Sequence, residues 1–155
     1  MFRYKPGLLS EEFDKIEKQV KEVSGLKIIA SDISEDAVNI SKINAGIAGV
    51  EEMIDFEVCD FEQTTVPANE AGVIYLNPEY GDRLGVEAEL EQTYRRMGDF
   101  LKQKCKGYTG YIFTGNLELA KKIGLKPRRR IEFYTSKIDC RLFEYELYAG
   151  TRESK

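Results

Sequence analysis

The chain has 155 residues, of which 42% are hydrophobic and 32% are charged, so it is long enough to bury the core of one globular domain. Its net charge of −4 argues against a protein that coats nucleic acid by electrostatic attraction alone. It contains no histidine, which excludes Ser-His and Cys-His nucleophilic pairs and the usual catalytic zinc sites. Any chemistry must therefore depend on carboxylates, amides, hydroxyls or a cofactor.

Cys59, Cys105 and Cys140 are widely spaced and form no Cys-x-x-Cys pair, so neither a disulfide framework nor a zinc site is predicted. We expect reduced thiols in a cytoplasmic protein. No stretch approaches the roughly 20 apolar residues of a membrane helix. The first residues lack the apolar run that is typical of a signal peptide.

Apolar periodicity predicts alternating helices and strands along the chain. The first element is an amphipathic helix over 10–24, with Ser10 as its N-cap and Gly25 after its last turn. Its apolar face contains Phe13, Ile16, Val20 and Val23. The next elements are a strand over 26–31, a helix over 34–48 capped by Ser34 and ended by Gly49, and a strand over 54–59.

A nearly all-apolar run at 72–76 predicts a strand that is buried on both faces. A helix over 86–105, a strand over 108–113 and a short helix over 117–123 follow, and Gly124 ends the last of them. The helix over 86–105 has one apolar face that we expect to point inward. That face contains Leu90, Tyr94, Met97, Phe100 and Leu101.

Two strictly alternating segments, 130–134 and 140–148, flank a turn at 135–137 and predict an antiparallel hairpin. Strands alternating with helices, followed by this hairpin, predict an α/β three-layer sandwich with a mostly parallel sheet. Ligands bind such sheets at the carboxyl ends of the strands. The polar residues at that edge are Asp32, Asp60, Asn77 and residues 114–116.

Two carboxylates at this edge have both a functional and a structural interpretation. Asp32 can accept hydrogen bonds from the hydroxyls of a bound ribose, or it can simply begin the following helix. Asp60 can accept from an adenine amino group, with Phe61 covering the ring face, or it can be an ordinary turn carboxylate.

Asn77, Pro78, Glu79 and Tyr80 form a more specific pattern after the strand at 72–76. The Asn77 amide oxygen and the Pro78 carbonyl can accept the two hydrogens of an amine, and Pro78 restricts the backbone that holds both acceptors. An amine held in this way can direct its lone pair at an electrophile. Tyr80 offers a ring on which a flipped base can stack. The structural alternative is an Asn-Pro turn with an incidental tyrosine.

Basic residues occur in two clusters that are either solvated faces or phosphate-contacting patches. The first contains Lys102, Lys104 and Lys106. The second contains Lys121, Lys122, Lys126, Arg128, Arg129 and Arg130.

Residues 77–84, Asn-Pro-Glu-Tyr-Gly-Asp-Arg-Leu, resemble the N-P-P-Y-G-E-R-L segment of the RNA methylases related to the ribosomal RNA large-subunit guanine-N2 methyltransferases. Residues 32–45 and 56–60 are similar to the preceding segments of that family, and 140–148 resemble its C-terminal strand. The resemblance covers about 26–149 through several ordered motifs.

This resemblance implies a Rossmann-like methyltransferase fold, S-adenosylmethionine as methyl donor and an RNA substrate, with N2 of guanine in 23S ribosomal RNA as the methylated atom. The implied catalytic residues are Asn77, Pro78 and Tyr80. The implied cofactor-binding residues are Asp32, Ile33, Asp60, Phe61 and Asn77.

Two departures from the family pattern affect these expectations. Glu79 stands in place of the second proline and brings a charge beside the target pocket. The family's first strand and its Gly-rich loop would precede residue 26, whereas residues 1–25 contain only Gly7 and Gly25 as glycines. We therefore expect a helical segment over 1–25, a partial methyltransferase domain over 26–149 that lacks its first central strand, and a tail over 150–155.

Two other functions remain open. A non-catalytic remnant could fold, or dimerise through unpaired strands, without binding cofactor. The second alternative is a DNA amino-methyltransferase, because the N-P-P-Y arrangement also binds the target amines of adenine and cytosine. The Cys-Arg-Leu sequence at 140–142 favours RNA.

Overall fold

The computed structural model describes residues 6–20, 25–68, 71–79, 87–135 and 138–148. The helices are α1 (Leu8–Glu17), α2 (Glu35–Ile47), α3 (Glu87–Lys104) and α4 (Leu117–Ala120). The strands are β1 (Ile28–Asp32), β2 (Ile54–Val58), β3 (Val73–Leu76), β4 (Thr109–Thr114), β5 (Arg129–Thr135) and β6 (Ile138–Glu146). Short 3-10 helices lie at Glu51–Met53, Phe61–Gln63 and Lys121–Ile123. None of the helices in these ranges combines the length and apolar character needed to cross a membrane.

The described strands form two sheets. In the first, β1 and β2 run parallel. The second has the order β3-β4-β6-β5, in which β3 and β4 are parallel and β6 is antiparallel to both of its neighbours. The α/β alternation and the C-terminal hairpin are thus confirmed. β1 and β3 belong to different sheets, so they do not pair directly with each other.

The main core lies between α3 and one face of the four-stranded sheet. The predicted inward face of α3 is confirmed, because Tyr94, Met97, Phe100 and Leu101 are at most 4% exposed and Leu90 packs against them. The sheet and the segment after it contribute Ile112, Phe143, Tyr145 and Leu147. At Gly98, a Cβ atom would lie 1.9 Å from the carbonyl oxygen of Ile123. Only glycine lets α3 approach the following 3-10 helix this closely.

Helix caps account for two of the predicted boundaries. The Ser34 hydroxyl accepts a hydrogen bond from the Ala37 amide at 3.3 Å, as expected of the N-cap of α2. Gly124 has a φ of 66°, in the left-handed region, and ends the last 3-10 helix.

The prediction of Ser10 as the N-cap of α1 was wrong. The helix begins at Leu8, because the Gly7 carbonyl already accepts the Glu11 amide at 3.0 Å. It ends at Glu17 rather than at residue 24, and Val23 lies outside the described residues. The remaining members of its predicted apolar face, Phe13, Ile16 and Val20, are exposed.

The prediction that β3 is buried on both faces was also wrong. Ile74 and Leu76 pack against the core, whereas Val73 and Tyr75 are 66% and 59% exposed. Successive side chains of a strand point to opposite faces, and α3 covers only the face that carries Ile74 and Leu76. The apolar run therefore describes a strand with one buried face.

Candidate active site

The carboxyl ends of β1 and β2 bring the two predicted carboxylates to one edge. Asp32 is in register with Val58, and its carbonyl accepts the Cys59 amide at 3.0 Å. Asp60 follows one residue later. The parallel pairing of β1 and β2 therefore places Asp32 and Asp60 at the same end of this sheet, as expected for a ligand-binding edge.

Asp32 has the local role of a helix-start residue. Its Oδ1 accepts the Ser34 amide at 2.8 Å, which fixes the turn between β1 and α2. A carboxylate has about four acceptor positions, so this bond leaves capacity for further donors such as ribose hydroxyls. Asp32 is exposed, and the neighbouring Ile33 is 74% exposed, so both are open to a ligand.

Asp60 is held by a partner that sequence reasoning missed. Its Oδ1 accepts the Glu62 amide at 3.0 Å and the Nη2 group of Arg96 at 2.8 Å. Arg96, on α3, also donates to Glu62 Oε2 at 2.7 Å. The hydrogen bond from Arg96 is the main cause that lowers the pKa of Asp60 below its ordinary value, so this carboxylate is ionised at neutral pH.

Phe61 packs against two side chains of α3, Phe100 and Arg96. Its ring makes an edge contact with Phe100 at a centroid distance of 5.8 Å, and the Arg96 guanidinium carbon lies 5.0 Å from its centroid. These contacts fix the orientation of a half-buried ring next to Asp60. Since Arg96 lies over the ring, stacking of an adenine would use the face of Phe61 that Arg96 leaves open.

Asn77 and Pro78 come directly after β3, at the edge where β4 also ends. Leu76 is in register with Ile112, and β4 continues two residues further to Thr114. Asn77 is exposed and Pro78 is half-buried. Tyr80, the third predicted catalytic residue, lies outside the described residues.

A hydrogen-bonded group connects this segment to the end of β4. The Tyr94 hydroxyl lies 2.7 Å from Thr114 Oγ1 and 3.4 Å from the carbonyl oxygen of Glu79. Thr114 Oγ1 also accepts the Asn116 amide at 3.0 Å, and Asn116 in turn caps α4 through the Leu119 amide. The sequence pattern identified Tyr94 as inward-facing. A buried tyrosine hydroxyl needs a hydrogen-bond partner, and this requirement could have indicated that Tyr94 contacts a polar group.

Most of the basic residues in the two predicted clusters form ion pairs with neighbouring carboxylates. Arg128 and Arg129 lie within 3.8 Å of Glu144, whose side chain is 8% exposed. Lys121 pairs with Glu118, and Lys122 pairs with Glu91. These contacts favour a structural role for much of the second cluster over a free phosphate-binding patch.

The chemistry of the strand-end residues fits a nucleoside. Two carboxylates offer acceptors for hydroxyl and amino groups, and Ile33 and Phe61 offer apolar surface beside them. Two surface hollows, of about 520 and 290 Å³, lie elsewhere, beside β2 and between α4 and the hairpin. In the described part of the chain, no group of three or more His, Cys, Asp or Glu residues could hold a metal ion.

The alternation of parallel strands and helices, followed by an antiparallel hairpin, is the fold of the Rossmann-like methyltransferases, which solved structures of this class share. The chain belongs to the RMKL-like methyltransferase domain family, whose profile matches residues 2–144. The predicted fold class and family are thereby confirmed.

The relatives and solved structures agree with this assignment. The ribosomal RNA large subunit methyltransferase K/L of Syntrophotalea carbinolica is 34% identical over 123 residues, which are 77% of this chain and 17% of that protein. A possible methylase from Clostridium difficile 630 is 29% identical with a TM-score of 0.78, covering 92% of this chain and 37% of its own. SMU.472, a candidate methyltransferase complexed with SAH, shares the fold at 20% identity and a TM-score of 0.77, with 96% and 39% covered.

The chain is much shorter than these relatives. It spans between 17% and 30% of the length of the first curated relatives it matches.

Proposed function

We propose that this chain forms the part of an RNA methyltransferase that holds the target amine and the nucleoside of S-adenosylmethionine. The proposed reaction is methyl transfer to N2 of guanine in 23S ribosomal RNA. The position of Asn77 and Pro78 directly after β3, at the edge where β4 ends, carries this proposal. The name of the Syntrophotalea relative supports ribosomal RNA as the substrate. The choice of guanine N2 rests on the resemblance of residues 77–84.

The roles of the catalytic residues follow from their hydrogen-bonding capacity. The Asn77 side-chain oxygen and the Pro78 carbonyl accept the two amine hydrogens, so the nitrogen lone pair points away from both. S-adenosylmethionine, when bound, would supply an electrophilic methyl group and would leave as S-adenosylhomocysteine once its S–CH3 bond is broken. Tyr80 stacks on the target base. The amine can attack before it loses a proton, which suits a protein that has no histidine.

The proposed cofactor-binding residues contact different parts of the nucleoside. Asp32 accepts from the ribose hydroxyls, and Ile33 adds apolar contact beside it. Asp60 accepts from the adenine amino group, and Phe61 covers part of the ring. Exposure of Asp32 and Ile33 and the ionised state of Asp60 support these roles. The SAH bound to SMU.472, which shares this fold, is consistent with the same donor.

Calorimetric titration of the 155-residue chain with S-adenosylmethionine, followed by transfer of labelled methyl groups to an unmodified 23S ribosomal RNA transcript, tests the proposal. We expect binding and RNA labelling, with the label at N2 of guanine after nuclease digestion. A DNA duplex of matched sequence serves as the control substrate. Labelling of the DNA but not of the RNA would replace the proposal with a DNA amino-methyltransferase.

The separation of β1 and β3 into different sheets favours one alternative, a non-catalytic remnant. Such a chain would bind no S-adenosylmethionine and would dimerise through its unpaired strand edges. Absence of calorimetric binding, together with a dimer in light scattering, would support this alternative and contradict the proposal.

A further inference from the structure

We infer that Tyr94 is a positioning residue that holds the Asn77–Glu79 segment against the end of β4. This inference rests on the proposed function of that segment. It adds that α3, through Tyr94, holds the segment in place. Tyr94 lies on α3, and its hydroxyl reaches Thr114, the last residue of β4, at 2.7 Å and the Glu79 carbonyl, three residues after the end of β3, at 3.4 Å.

The directions of the hydrogen bonds in this group are mutually consistent. The Asn116 amide donates to Thr114 Oγ1, so the Thr114 hydroxyl hydrogen is available for another acceptor. The Glu79 carbonyl can only accept, so Tyr94 donates to it. Thr114 therefore donates to Tyr94. The result is a chain of three hydrogen bonds in one direction, from Asn116 through Thr114 and Tyr94 to Glu79, and such chains strengthen each other.

Because its two hydroxyl groups are buried, this series of hydrogen bonds is a rigid support for the Asn77–Glu79 segment. Tyr94 and Thr114 are both 0% exposed, so neither hydroxyl can exchange its protein partners for bulk water without opening the core. The Glu79 carbonyl belongs to the peptide bond between Glu79 and Tyr80. Tyr94 thus fixes the backbone between the two amine acceptors and the proposed stacking residue. A displacement of about 1 Å at such a position can reduce turnover by roughly 100-fold.

Tyr94→Phe removes only the hydroxyl and keeps the ring in the core. Tyr108→Phe is a matched control, because the Tyr108 hydroxyl donates to the Pro67 carbonyl at 2.7 Å and the side chain is 7% exposed. NMR measures the Glu79 and Pro67 carbonyls separately through their ¹³C chemical shifts, and it measures backbone mobility through amide order parameters. We expect Tyr94→Phe to shift the Glu79 carbonyl and to lower the order parameters of Asn77 and Glu79 from roughly 0.85 to below about 0.6. Tyr108→Phe should shift the Pro67 carbonyl instead.

Thr114 provides the second pair of variants. Thr114→Val should shift the Glu79 carbonyl less than Tyr94→Phe does, because Tyr94 still donates to Glu79 but no longer accepts a hydrogen bond from Thr114. Thr114→Ser should retain the wild-type spectrum. An unchanged Glu79 carbonyl in Tyr94→Phe, or the same change in Tyr108→Phe, would overturn the inference.

Methyl transfer to the 23S transcript gives the catalytic readout. In Tyr94→Phe we expect kcat to fall roughly 10-fold or more while the KM for S-adenosylmethionine is unchanged. If the wild-type chain transfers no methyl group, the proposed function fails, and the NMR comparison still decides whether Tyr94 positions the segment. An unchanged kcat in an active chain would overturn the catalytic part of the inference.

Discussion

Helix α1 of the N-terminal unit (α1, β1, α2 and β2) and helix α3 of the C-terminal unit (β3 to β6 with α3 and α4) are both amphipathic, but the two units bury their apolar residues to very different extents. Every member of the main buried cluster belongs to α3 or to the segments that follow it. In the N-terminal unit, α1 has no buried residue and α2 has only Val38 and Ala45. The contrast teaches that periodicity identifies a helix, whereas burial requires a partner surface.

The two units also divide the proposed chemistry. The residues proposed for the nucleoside lie in the N-terminal unit or just after it, and the residues proposed for the amine lie in the C-terminal unit. Arg96 connects the two, because it extends from α3 to Asp60 and Glu62. The well-packed unit therefore carries the proposed amine-binding residues and, through Arg96, holds Asp60 of the proposed nucleoside site.

The largest expected effect is the loss of stability when a side chain of the main core is truncated. Leu101 is 0% exposed and Ile43 is 63% exposed. Leu101→Ala should lower the free energy of unfolding by about 3 kcal/mol, because it leaves a cavity beside β4. Ile43→Ala should change it by less than about 0.5 kcal/mol. Urea denaturation of both variants measures the difference, and similar losses in the two would contradict the contrast between the units.

A pair of helix glycines gives the next largest effect. Gly98→Ala should cost about 2 kcal/mol, because the new Cβ would collide with the Ile123 backbone. In Gly46→Ala the Cβ would meet only the flexible Glu51 carboxylate at 3.1 Å, so the gain in helix propensity should stabilise α2 by about 0.5 kcal/mol. Thermal denaturation should show shifts of opposite sign. Destabilisation by both substitutions would mean that α2 is packed as tightly as α3.

The smallest effect concerns the link between the units. Arg96→Gln should raise the pKa of Asp60 toward its ordinary value of 3.8, since Arg96 is the main cause of its depression. A depressed carboxylate pKa stabilises the fold above the unfolded value and loses that contribution as pH falls through the folded value. The stability difference from wild type should therefore be greatest near neutral pH, under about 1 kcal/mol for a partly exposed pair, and should shrink below about pH 4.

Arg95→Gln is the control for this link, because Arg95 pairs with Glu91 on the surface of the same helix and is 62% exposed. NMR titration of the Asp60 carboxyl carbon in the two variants separates their effects. A pKa of Asp60 that is the same in Arg96→Gln and in wild type would exclude Arg96 as its main partner.

Local signals predicted much of this fold from sequence. The caps at Ser34 and Gly124 depend on neighbours within a few residues, and the inward face of α3 was visible in the spacing of its apolar residues; all three were confirmed. Ser10 failed as a cap because Gly7 begins the helix one turn earlier. The one-sided burial of β3 could not be predicted, because an apolar run does not reveal which of its faces another element covers.

The long-range partners were outside the reach of sequence reasoning. Arg96 and Asp60 are 36 positions apart, and Tyr94 and Thr114 are 20 apart. Nothing in the spacing of these residues connects them, since their contacts depend on how α3 crosses the strand ends. Asn77 and Pro78, in contrast, could be proposed as amine acceptors from the sequence, because the two acceptors occupy adjacent positions of the chain, and their role stays a prediction.

Methyl transfer by Asn77→Ala tests most directly the proposed hydrogen bond from the target amine to Asn77. Asn39→Ala, on the exposed surface of α2, is the matched control. We predict that Asn77→Ala abolishes labelling of the 23S transcript, with kcat reduced at least ~100-fold, while the calorimetric affinity for S-adenosylmethionine stays nearly unchanged. Asn39→Ala should retain wild-type turnover. Unaltered turnover in Asn77→Ala would contradict the proposed hydrogen bond.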